Sequence, residues 1–158
     1  MIPMSEAVQR LAFHEGCVLK PYKDSHGYWT VGIGRCIDKN PLTTEELRAV
    51  GQNWKSEGIT KNAAYMLLHN DIKRILAVLK EEIAFWNELD DERQYALLDM
   101  AFQMGINGVL RFKKMLAAMG VGNWEKAKSE CLDSNYGREF KNRALRIAGC
   151  IAKGKFIM

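Results

Sequence analysis

At 158 residues, 47% hydrophobic and 27% charged, the chain can bury one core, or two small lobes sharing one. No stretch approaches the ~20 apolar residues of a membrane span, and Met1-Ile2-Pro3-Met4-Ser5-Glu6 lacks the basic-then-apolar pattern of a secretion signal, so a cytoplasmic protein without a membrane anchor is expected. The net charge of +4 is uneven: residues 1–108 hold 12 Lys and Arg against 15 Asp and Glu, residues 109–158 hold 11 against 4, and with no nucleic-acid module beside it the basic half reads as a solvated helical surface.

Ser5 can cap a first helix, with Val8, Leu11 and Ala12 on one face and Gly16 just past its end. The period then changes. Val18 to Tyr22 and Tyr28 to Ile33 read as strands, joined through Asp24-Ser25-His26-Gly27, where a leading Asp and a closing Gly suit a type I turn. Along the second strand Tyr28, Thr30 and Gly32 share one face, and Trp29, Val31 and Ile33 the other. Thr43 and Glu46 form a capping box for a short helix ending near Gly51. Thr60 opens the longest periodic segment, whose stripe is Ala64, Leu67, Leu68, Ile72, Ile75, Leu76 and Leu79 and which runs to about Lys80.

Beyond it the pattern is helical throughout. Asp90 or Asp91 starts a helix stopped by Gly105, Val109 to Met119 forms the next, Asn123 caps a third, and Phe140 to Lys153 supplies the last. The expected class is α+β: a small mixed lobe over residues 14–59, a connecting helix over 60–80 and a helical lobe over 81–158 on which helix 5–13 packs.

Most chemistry-bearing residues form no constellation. Cys17, Cys36, Cys131 and Cys150 have neither Cys-x-x-Cys spacing nor a nearby His pair, so no zinc site is expected and the thiols are taken as free and mostly buried. His14, His26 and His69 share no helix face at ligand spacing. Gly32-Ile33-Gly34 lacks the third glycine and following helix of a nucleotide loop, and reads as a place where backbone or ligand approaches closely. Trp29, Trp54, Trp86 and Trp124 are too scattered for a stacking platform.

Glu15, Asp24 and Thr30 are the exception. A helix end, a turn and a strand deliver two carboxylates and a hydroxyl within one short stretch. Glycoside hydrolysis needs one carboxyl to protonate the leaving oxygen and another to activate water or stabilise the sugar cation. Singly each has an ordinary reading: Asp24 as turn starter, Thr30 as strand former, Glu15 as surface acid. Glu15 is the odd one, because a carboxylate in the last helical turn meets the negative end of the macrodipole.

The spacing Glu15-x8-Asp24-x5-Thr30, with Tyr22-Lys23-Asp24, Gly27-Tyr28 and Thr30-x-Gly32-Ile33-Gly34 around it, resembles the catalytic hairpin of T-even phage lysozymes, glycoside hydrolase family 24. Ile59-Thr60-Lys61, Phe102-Gln103-Met104-Gly105, Phe112, Trp124 and Asn142-Arg143-Ala144 agree in order and spacing, so the resemblance covers essentially the whole chain. It implies a lysozyme-like fold and hydrolysis of the β-1,4 bond between N-acetylmuramic acid and N-acetylglucosamine in peptidoglycan. It further implies Glu15 as general acid, Asp24 and Thr30 as residues that place the attacking water, inversion at the anomeric carbon, and no metal or organic cofactor. Arg143 matches the arginine that pairs with the catalytic glutamate, and Phe102, Gln103 and Gly34 match substrate-cleft positions. A monomeric endolysin is implied, held in the host cytoplasm until a separate holin admits it to the cell wall, with no nucleic-acid partner.

The chain departs from the family at Arg35, where His is frequent, and an Arg35–Asp71 pair is expected in its place. Cys36, Met115 and Glu130 also differ from the apolar or neutral cleft residues of relatives. Three competitors remain. A lytic transglycosylase would not need a water-handling Asp24 and Thr30, a non-catalytic wall-binding module would not need the whole trio, and a nucleic-acid-binding protein rests on the C-terminal charge alone.

Overall fold

The computed structural model describes residues 1–156. It divides into two compact units, Met4–Lys73 in one, Arg74 onward with Met1–Pro3 in the other. The class is α+β as expected: the described residues hold ten α-helices and a three-stranded antiparallel sheet in the order β1-β2-β3.

In the first unit, helix α1 (Met4–Glu15) buries Ala7 and Leu11 one turn apart, and Arg10 between them pairs with Glu6. The helix starts one residue before Ser5, which therefore lies inside the first turn and not at the cap. It closes at Gly16, whose φ of +72° suits glycine and whose amide donates to the Ala12 carbonyl at 3.0 Å. Strand β1 (Val18–Lys23) pairs with β2 (Trp29–Gly32) in the register Tyr22↔Thr30 and Lys23↔Trp29, and the expected turn is present, with the Gly27 amide donating to the Asp24 carbonyl at 3.0 Å. Strand β3 (Arg35–Cys36) follows; two residues are too few to show an alternation in sequence.

The Thr43–Glu46 capping box forms as expected and opens helix α2 (Thr44–Val50), capped at its end by Gly51. A single unanticipated turn, α3 (Trp54–Glu57), packs against β1. Gly58 closes it with φ +83° and ψ −172°, a region open essentially to glycine alone. A Cβ there would also sit 2.7 Å from the Leu19 carbonyl oxygen, which already accepts from the Ile59 amide. Gly58→Ala is therefore expected to destabilise the chain by at least about 2 kcal/mol, measured as a lowered midpoint of thermal unfolding.

Helix α4 (Lys61–Glu82) starts where Thr60 accepts from the Ala63 amide at 3.1 Å, and the whole expected stripe from Ala64 to Leu79 is buried along it. Its first half carries Asp71 and Asn70 into a buried charge cluster. Arg35 donates to Glu46 Oε1 and Oε2 at 2.6 and 3.0 Å and pairs with Asp71 at 3.2 Å, while its Nε reaches the Asn40 carbonyl at 2.9 Å. The expected Arg35–Asp71 pair is thus present, with Glu46 as a further, unexpected partner. Glu46 also accepts from the Thr43 amide and from Asn70, each at 3.0 Å.

Burial alone would raise the Glu46 carboxyl, but the hydrogen bonds from Arg35, Thr43 and Asn70 outweigh it and hold it at about 2, against an ordinary 4.5. A carboxyl lowered in the folded state lends stability above its unfolded value, and that stability is lost as pH falls through the folded one. The unfolding midpoint of the wild type is expected to drop more steeply from pH 4.5 toward 2 than that of Glu46→Gln, as read by thermal melts across that range.

The second unit is helical. Helix α5 (Asp91–Met104) begins with Asp90 accepting from the Arg93 amide and ends at Gly105. Its middle, from Gln94 to Ala101, is buried all round, the signature of a central core helix. Helix α10 (Lys141–Lys153) packs on α5 and on α8 (Trp124–Leu132), which Asn123 caps as expected. Arg93 ties the starts of α5 and α8 to the end of α10: its guanidinium lies 3.7 Å over the Trp124 ring, and its Nε donates to the Ile151 carbonyl at 2.6 Å.

The single helix expected over Val109–Met119 is instead two, α6 (Ile106–Leu110) and α7 (Lys113–Gly120). Val109 and Met115 are both buried. One lies on each of the two helices. One further short helix, α9 (Asn135–Glu139), is capped by Ser134 and is too brief to leave a period in sequence.

Candidate active site

Glu15 is the last residue of α1 and is half-buried. Asp24 opens the turn after β1. Its Oδ1 accepts from the amides of His26 and Tyr28, both at 2.9 Å. These backbone donors, Tyr28's first, hold the carboxyl below its ordinary value, so Asp24 stands as an anion at neutral pH.

Tyr22 joins the two acids. Burial raises its phenol first, and the negative charges of Glu15 and Asp24 raise it further, so one protonated hydroxyl lies within electrostatic reach of both carboxylates. Its cross-strand partner is Thr30, which places both on the same face of the sheet. Thr30 is buried, and its hydroxyl donates to the Tyr28 carbonyl at 3.2 Å, fixing the side chain with oxygen lone pairs still able to accept. The fold therefore brings Glu15, Asp24 and Thr30 around Tyr22. Tyr22 stood within the sequence pattern as a spacer, and its parity with Thr30 across the hairpin was the signal of its place.

Gly34 sits in the turn between β2 and β3 with φ +72°, a backbone position that suits glycine. Phe102 and Gln103 lie at the end of α5 in the other unit, both half-buried. Gln103 Oε1 is buried and accepts no hydrogen bond among the described residues, so a donor from a ligand would complete it. Arg143, on α10, donates from Nε to Asp99 Oδ1 at 2.8 Å. Asp99 is almost fully buried and also accepts from the Tyr95 hydroxyl at 3.0 Å. The Asp99 contact was not foreseen, since nothing in the spacing of Asp99 and Arg143 announces it.

Among the described residues no group of three or more His, Cys, Asp or Glu could hold a metal ion. All four cysteines are free thiols. Cys131 and Cys150 are buried as expected, and burial pushes the Cys131 thiol up to about 12; Cys17 is exposed and Cys36 half-buried, so the thiols are less covered than anticipated.

The phage lysozyme family model matches residues 12–149. The chain belongs to the phage lysozyme family. By class it is a lysozyme, a glycoside hydrolase. It is 28% identical to probable T4-type lysozyme 1 and 29% identical to probable T4-type lysozyme 2 of Dictyostelium discoideum, over 96% of this chain and 96% of each relative. It is also 34% identical to the pre-baseplate central spike protein Gp5 of Enterobacteria phage T4, over 96% of this chain, and spans only 28% of that protein's length.

Of the positions where this lysozyme chain departs from the family pattern, Arg35 is accounted for by Glu46 and Asp71. Met115 and Glu130 line one open cavity of about 590 Å3 together with Met104, Phe112, Tyr136 and Phe140. Cys36 lies on β3, opposite Thr30 in register. No helix among the described residues is long and apolar enough to cross a membrane.

Proposed function

We propose that this chain hydrolyses the β-1,4 bond between N-acetylmuramic acid and N-acetylglucosamine in peptidoglycan, with Glu15 as general acid and Asp24 and Thr30 handling the attacking water. The observation that carries the reading is the division of labour on the Tyr22–Thr30 face of the hairpin. Asp24, held as an anion by two backbone amides, has no proton to give and can orient and polarise a water. That leaves Glu15 to protonate the leaving oxygen. The buried Thr30 hydroxyl is an acceptor beside the water's path, and Tyr22 remains a donor near both acids.

Water attack assisted by Asp24 inverts the anomeric carbon. Proton NMR of the sugar first released from a soluble glycan tests this. The α-anomer of muramic acid is expected from the wild type, and initial release of the β-anomer would make Asp24 a nucleophile. Asp24→Asn is expected to lower kcat by about 100-fold or more with KM little changed, since the amide keeps the shape but loses the charge that activates water. Full activity of this variant, in the same NMR assay, would remove Asp24 from the mechanism.

Phe102, Gln103 and Gly34 are proposed as substrate contacts, and Arg143 as support for the catalytic glutamate. The basic residues of 109–158 favour approach to an anionic wall. In the cell the enzyme serves as a monomeric endolysin, held in the host cytoplasm and admitted to the wall by a separate holin. A second reading, hydrolysis in the service of a phage particle, is favoured by the 34% identity to a segment of a phage spike protein. Complementation of a phage that lacks its lysis enzyme separates the two: restored lysis supports the endolysin role, and none favours the particle.

A further inference from the structure

Trp29 and Trp54 are far apart in sequence, yet the fold brings them to one cavity. Lys23 stands opposite Trp29 in the β1–β2 register, and the Ile37 amide donates to the Trp29 carbonyl at 2.8 Å. With alternation along each strand, Pro21, Lys23, Trp29 and Ile37 occupy the face opposite Tyr22 and Thr30. Helix α3, packed on β1, adds Trp54 and Lys55. A cavity of about 240 Å3 is lined by Pro21, Trp29, Ile37, Asp38, Trp54 and Lys55. Trp29 remains 45% exposed beside it, although a large aromatic is costly to leave in water.

We propose that this cavity is a second carbohydrate site, on the back of the hairpin, which holds one N-acetylhexosamine ring of a glycan strand. It is smaller than the roughly 300–1,000 Å3 of sites for drug-sized ligands, which suits a single ring. Indole and proline walls with a few fixed polar groups match a sugar's apolar faces and hydroxyl edges. The charges choose among ligands. Asp38 is held by the Trp29 amide, which donates to its Oδ2 at 2.8 Å. Lys23 Nζ lies 5.4 Å from the Trp29 ring centre and Lys55 Nζ 5.7 Å from that of Trp54. An anionic ligand would meet Asp38, and a cationic one the two ammonium groups. A neutral polyhydroxyl ring uses both, accepting from lysine and donating to the carboxylate.

A second hold on the polymer, away from the catalytic face, lengthens residence on an insoluble wall without entering the bond-breaking step. The choice of sugar rests on the muramidase reading, and the experiment keeps the two apart. N-acetylglucosamine is titrated into 15N-labelled Glu15→Gln protein while the four indole N–H signals are followed. The Trp29 and Trp54 signals are expected to move together along one saturating curve, with Trp86 and Trp124 still. In the active enzyme, Trp29→Ala is expected to lower the rate on insoluble sacculi by roughly tenfold relative to the rate on a short soluble glycan fragment that contains the same bond. Trp29→Tyr, which keeps a flat ring, is expected to restore most of it. Still Trp29 and Trp54 indoles, or equal losses on both substrates, would overturn the site. If the wild type cleaves neither substrate the muramidase reading fails, and the titration still decides whether a sugar binds here.

Discussion

Glu15→Gln is expected to lower kcat on peptidoglycan by about 100- to 10,000-fold, the range a positioned general acid contributes. Glutamine keeps the volume and hydrogen-bonding reach of the side chain but has no proton to give the leaving oxygen. The fold should survive the change. Glu15 is the last residue of α1 and half-buried, and glutamine fills the same space there. The expected signature is therefore a nearly inactive enzyme whose unfolding midpoint lies within a few degrees of wild type. Activity in a turbidity assay and a thermal melt on the same sample check both halves. A variant that loses both together would be misfolded and would not bear on the acid.

The second large effect concerns stability. Arg35→Met is expected to destabilise the chain by about 3–5 kcal/mol, because it leaves the carboxylates of Glu46 and Asp71 buried without their shared cation. For a chain of this size that lowers the unfolding midpoint by about 10 °C or more. Asp71→Asn should cost less, since Arg35 keeps its two hydrogen bonds to Glu46. Arg35→Met combined with Asp71→Asn should then fall short of the sum of the single losses in a double-mutant cycle. Strict additivity would mean that the two side chains do not interact.

The parts of the fold that were legible in sequence are those whose signal is local. The Thr43–Glu46 box, the Asp90 and Asn123 caps and the α4 stripe are each written within a few residues by hydrogen-bonding geometry or helical period, and each forms. What escaped is short or distant. Strand β3 and helices α3 and α9 hold too few residues to establish a period, and no capping or turn residue in the sequence announces the break between α6 and α7. The candidate site divides along the same line. Glu15, Asp24 and Thr30 stood out as candidates because one short stretch of sequence, from the end of α1 through the β1–β2 hairpin, carries them. Glu46 was read only as a cap residue, and its second role on Arg35 is a tertiary fact. The Asp99–Arg143 contact and the shared cavity of Trp29 and Trp54 join residues far apart in the chain, which no spacing rule relates.

The most direct test of the account is a digest of purified Gram-negative peptidoglycan by the wild type and by Glu15→Gln, in water enriched in 18O, with the fragments identified by mass spectrometry. Reducing-end N-acetylmuramic acid carrying the heavy oxygen, from the wild type and not from the variant, is the predicted result. Fragments ending in 1,6-anhydro-muramic acid without 18O, or equal digestion by Glu15→Gln, would contradict it.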